Sequence, residues 1–90
     1  MLSLIGPADV QKRLTKALRE RREAQRLSRR ALAERSTVPE PTIKRFETTG
    51  EISLRQFLIL WSCVDDLKRL DELTRPATSS PKSIDEVLSS

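Results

Sequence analysis

Two prolines and a glycine do most to limit what this chain can become. Pro39 and Pro41 lack a backbone N–H, which is harmless in the first turn of a helix, where that donor has no internal partner. Gly50 suits the left-handed backbone that commonly closes a helix. Between them Ile43 and Phe46 form an apolar i, i+3 pair, so the spacing predicts a helix from Glu40 to Glu47, ended by Thr48-Thr49-Gly50. Upstream, Ser28 is a good N-cap, Leu32 points into a core four residues on, and Ala33 lets a neighbouring helix come close. Ser36, Thr37 and Val38 break the chain between the two. Residues 26–50 therefore read as a helix, a three-residue turn and a second helix.

The flanks are helical too. Gly6-Pro7 starts a first helix, with Asp9 in its first turn complementing the positive end of the dipole. Val10, Leu14, Ala17 and Leu18 give it one apolar stripe, and Lys12, Arg13, Lys16, Arg19 and Arg22 occupy much of the rest. Glu23 to Arg26 ends it, and Leu27 anchors the loop in the core. After Gly50, Ile52 plugs a loop and Ser53 caps a fourth helix. Its face of Leu54, Phe57, Leu58, Leu60, Trp61 and Val64 is wider than one stripe needs, so Trp61 is either core or a contact with another chain. Asp65-Asp66 interrupts the chain, and Leu67, Leu70 and Leu73 make a short fifth helix. Residues 75–81, RPATSSP, form a linker. Beyond it Ser83 and Glu86 fit a capping box, and Ile84, Val87 and Leu88 share a face able to dock on this domain, a dimer mate or another protein. Six residues do not hold a helix alone, so the expectation is that the segment either docks or stays disordered. With no strand pattern, the expectation is an all-α, five-helix orthogonal bundle over residues 7–74 and a tail over 75–90.

Composition narrows the chemistry. The 17 Lys/Arg and 13 Asp/Glu give +4, unevenly placed. Residues 1–45 hold 12 basic against 5 acidic side chains, and residues 46–90 hold 5 against 8. A basic front and an acidic back suit a nucleic-acid face opposite a protein-contacting one. The chain has no histidine and one cysteine, Cys63, which excludes a disulfide framework or a Cys/His zinc site within it. The thiol lies in an apolar helix and reads as buried and inert. Asp65/Asp66 and Asp85/Glu86 are neighbours that a helix turns about 100° apart, and there is no glycine-rich phosphate loop. Neither catalysis nor a cofactor is expected. No apolar run approaches the roughly 18 residues of a membrane span, and the opening lacks the basic start of a signal peptide, so the cytoplasm is the expected compartment.

The segment LSRRALAERSTVPEPTIKRFE resembles the helix-turn-helix of the lambda-repressor/Cro-like (XRE) regulators, and the likeness spans roughly residues 10–73. TTGEISLRQFLIL and SIDEVL resemble the HipB-type branch, encoded beside HipA-like kinase toxins. The resemblance implies a homodimer on double-stranded DNA carrying an inverted-repeat operator, repressing its own toxin–antitoxin operon. It also implies association with a HipA-like kinase toxin or a small antitoxin.

By the same resemblance, the pair at about residues 28–47 reads DNA. Glu40, Pro41, Thr42, Lys44 and Arg45 of its second helix would meet bases or backbone, and Ser28 and Arg29 would hold phosphate. Arg30 is adjacent and basic, and Arg55, beyond the third helix, is a candidate second clamp through its own charge or the N-terminus of the fourth, while Trp61, Ile84, Val87 and Leu88 are candidates for protein contact. Relatives often carry Gln at Arg29, Gly at Thr37 and a Ser/Thr cap at Pro39, so an altered turn is expected here, with Thr37 strained in a left-handed conformation. Two rival readings stand beside this one. The first is a protein-interaction antitoxin or adaptor with weak DNA binding, favoured by Glu40 and Pro41. The second is a phage-type or general regulator without a toxin.

Overall fold

Gly6 and Pro7 open helix α1, Pro7–Ala24, in a computed structural model that describes residues 4–77. The Asp9 carboxylate folds back to accept the Gly6 N–H at 2.9 Å, satisfying one of the donors a helix start leaves open. Arg26 then turns the chain with φ 57°, and Leu27 drops into the core. Helix α2, Arg29–Ser36, is capped by Ser28, whose Oγ accepts the Ala31 N–H at 3.0 Å. Thr37 adopts φ 64° and its amide closes α2 onto Ala33 O at 2.9 Å. The buried Ser36 Oγ takes the Val38 N–H at 3.1 Å, which fixes the turn. Helix α3, Glu40–Thr49, starts between the two prolines and stops at Gly50, φ 80°. Ser53 caps α4, Leu54–Val64, by accepting the Gln56 N–H at 3.1 Å. A one-turn α5, Lys68–Asp71, tightens into a 3-10 turn, Glu72–Thr74. The fold is all-α, with no strand among the described residues.

One cluster holds the elements together. Leu18 of α1, Leu32 of α2, Val38 of the turn and Ile43 and Phe46 of α3 close on Phe57, Leu60, Trp61 and Val64 of α4. Each large side chain so buried contributes roughly 1.5–3 kcal/mol of transfer free energy. The rings of Phe46, Phe57 and Trp61 run in series, with 5.8 Å between neighbouring centroids.

Trp61 belongs to this core. It is 4% exposed, its Nε1–H donates to Asp66 O at 3.2 Å, and the Arg21 guanidinium lies 4.8 Å from its ring centroid. The width of the α4 face is thus used inside the chain. Leu54, expected on that face, is 73% exposed instead. As the first residue of α4 it borders an open cleft with Val10, Ile52 and Phe57 rather than entering the core. In the fifth helix only Leu70 packs on the core, while Leu67 and Leu73 are 42% and 80% exposed, because one turn cannot lay a stripe across α4. Cys63 is half-buried against the cluster rather than enclosed. Ile84, Val87 and Leu88 lie outside the described residues.

Candidate nucleic-acid interface

The inner side of α3 is fixed by charge as well as by apolar packing. Glu47 is buried, and its carboxylate accepts a two-point hydrogen bond from Arg22, at 2.7 Å from Nε and 2.9 Å from Nη2. Arg29 donates its Nε to the same carboxylate at 2.9 Å, and Arg22 Nη1 reaches Leu27 O at 2.7 Å. One carboxylate thereby joins α1, α2 and α3. Burial alone would raise its pKa, but the hydrogen bonds and charges of Arg22 and Arg29 outweigh that and hold it below its ordinary value.

Nothing in the sequence reading placed Arg22 or Glu47 inside. The signal was their register. Arg22 follows Leu14 and Leu18 at the same four-residue step, and Glu47 follows Ile43 and Phe46 at i+4 and i+1. A charge on an apolar stripe, matched by an opposite charge on the facing stripe, is the mark of a buried ion pair. Arg29, carried over from the resemblance as a phosphate contact, is a brace between α2 and α3 with 28% of its side chain exposed.

The outer side of α3 presents Glu40, Pro41, Lys44 and Arg45 to solvent, with Thr42 half-buried. Pro41, Thr42 and Arg45 border a shallow cleft whose other wall is Glu51, Ile52, Ser53 and Gln56. The site therefore spans α3 and the start of α4, where Arg55 is exposed. Lys44 and Arg55 make no ion pair with another described residue. Arg45 does, since its Nη2 donates to Glu51 Oε1 at 2.7 Å. Arg30 lies 3.6 Å from Glu34 on the exposed side of α2, and the exposed Ser28 is engaged as the α2 cap. Lys12 and Lys16 line a different cleft, between α1 and the C-terminal end of α3, and do not join the Pro41–Arg45 group.

A second charge cluster joins α1 and α5 at the end of α4. Asp65 Oδ2 accepts from Arg21 Nε at 2.6 Å and from Arg69 Nη1 at 3.1 Å. The Arg21 hydrogen bond, helped by the Asp66 N–H, lowers its pKa. Among the described residues no helix is long and apolar enough to cross a membrane. Compared with protein-family models, with curated proteins and with solved structures, the chain matches none.

Proposed function

We propose that the protein is a sequence-specific DNA-binding autorepressor of the lambda-repressor/Cro-like type. In this reading α2 crosses the phosphate backbone and α3 enters the major groove by its N-terminal end. One observation carries it. The inner face of α3 is pinned to α1 and α2 by the Arg22–Glu47–Arg29 network, while its outer face is left exposed with Thr42, Lys44 and Arg45 on it. A reading element must be rigid on one side and unoccupied on the other. Arg45 and Lys44 have the chemistry for guanine O6/N7 or phosphate, and Thr42 can hydrogen-bond a base or offer its methyl to thymine. Ser28, Arg30 and Arg55 flank this face as backbone contacts, while Arg29 braces α2 against α3. The protein acts as a homodimer on an inverted repeat and as the HipB-like component of a toxin–antitoxin operon. Its acidic second half and the segment at 83–88 meet a HipA-like kinase toxin or a small antitoxin.

Fluorescence anisotropy with the duplex upstream of the gene and a scrambled control, at two salt concentrations, tests the reading. The expected result is tighter binding to the upstream duplex, with a salt slope that reports the phosphates neutralised. Arg45→Ala should cost about 1–3 kcal/mol on the specific duplex alone if Arg45 reads a base. Equal weak binding to both duplexes would remove the proposal. It would favour the rival reading of a protein-binding adaptor, which draws support from the acids Glu40 and Glu51 on this same face.

A further inference from the structure

Glu51 stands where a DNA-facing surface has least use for an acid, yet the loop that carries it is held on three sides. Gly50 takes the left-handed conformation at φ 80°, and its carbonyl accepts the Gln11 Nε2–H at 2.7 Å. The Glu51 N–H donates to Thr49 Oγ1 at 3.1 Å, and that hydroxyl donates to Arg45 O at 2.7 Å. The carboxylate so placed receives Arg45 Nη2 at 2.7 Å. Both side chains are well exposed, 69% and 60%, and an ion pair so wet adds little to folding. Its effect is on direction. The guanidinium has two edges of paired N–H donors, one shared by Nε and Nη2 and one by Nη1 and Nη2. Glu51 occupies one hydrogen of Nη2, so whichever it takes, the other edge remains whole. A complete two-donor edge is what guanine O6 and N7 accept in the major groove.

We propose that Glu51 is a positioning residue that orients Arg45 to read a guanine, so that the protein requires a G·C pair at one fixed place in each half-site. The proposal rests on the DNA-binding reading and adds to it the base and the residue that enforces it. A second consequence has the opposite sign. A carboxylate beside the phosphates lowers affinity for every duplex, so its removal should tighten non-specific binding while loosening discrimination.

The test uses the full chain and duplexes enriched by it from a randomised pool, followed by replacement of each G·C pair in turn. Wild type should lose roughly ten- to hundredfold in affinity at one G·C pair in each half-site. Glu51→Ala should reduce that penalty to a few-fold and bind scrambled duplex more tightly than wild type, with an unchanged melting temperature. Glu51→Gln keeps an acceptor oxygen and should restore part of the discrimination. A uniform rise on all duplexes with the G·C penalty intact would overturn the proposal, leaving Glu51 as a repulsive charge only. So would an Arg45→Ala variant that keeps the penalty. Failure of wild type to enrich any sequence would instead overturn the DNA-binding reading itself, and this proposal with it.

Discussion

Glu47 concentrates most of what a single residue decides here. Its carboxylate is shared by two arginines, one of them buried, so the cost of burying these charges is offset only while the acid is present. Glu47→Gln should therefore destabilise the fold by about 3 kcal/mol, the range found when one partner of a buried pair is removed. Urea unfolding at neutral pH would measure it. Because the folded carboxyl sits below its ordinary value, its stabilisation is complete at neutral pH and is lost as pH falls through the folded value. Asp65, lowered by Arg21, adds to the loss in the same direction. Wild type should accordingly be flat in stability above about pH 5 and weaken steeply below about pH 4. In Glu47→Gln that acid limb should be shallower, and an undiminished limb would place the acid sensitivity elsewhere.

The helical pair and its turn carry the clearest element-scale strain. Thr37 is β-branched and sits at φ 64°, a conformation that crowds any Cβ by roughly 1–2 kcal/mol. Thr37→Gly removes the crowding and loosens the unfolded chain, so the net gain should be under about 1 kcal/mol and Tm should rise by a few degrees. Scanning calorimetry would register it, and a lower Tm would mean that the Thr37 hydroxyl, which donates to Ser36 O, outweighs the strain. This turn was legible before the fold was seen, because Ser28 and Gly50 sit at the N-cap and C-cap they suit, and Pro39 and Pro41 fall at the N-cap and in the first turn of α3, where a missing N–H costs nothing. So were the core residues that repeat at helical spacing, Leu18, Leu32, Ile43 and Phe46. Hidden were the pairings between elements. Arg22 and Glu47 are 25 residues apart, and Arg45 meets Glu51 only because the Gly50 turn brings the chain back. Periodicity reports which face of a helix is apolar, not what stands opposite it, and so Trp61 stayed open between core and contact until its neighbours were known.

At the scale of the whole molecule, the proposed homodimer has to form through what stays exposed. Leu67 and Leu73 protrude from the last described helical turns, which have no extended packing against α3. Another apolar opening, where Val10 and Leu54 face a cleft, shares Ile52 with the Pro41–Arg45 cleft, so pairing there would crowd the reading face. Placing the proposed dimer contact at Leu67 and Leu73 keeps it off the Pro41–Arg45 cleft and suits a chain this small, which gains from burying more apolar surface. Leu73→Asp should then shift the mass toward the monomer in size-exclusion light scattering without lowering Tm in the monomeric range. The duplex supplies the sharper readout. Two heads about 34 Å apart match half-sites one helical turn from each other. Inserting about five base pairs between the half-sites turns one to the opposite side of the duplex and should abolish paired binding, and about ten should restore much of it. Leu73→Asp, reading one half-site at a time, should be indifferent to the spacing. A wild-type protein equally indifferent would be a single-headed binder, and the exposed leucines would then serve a different protein rather than a second copy.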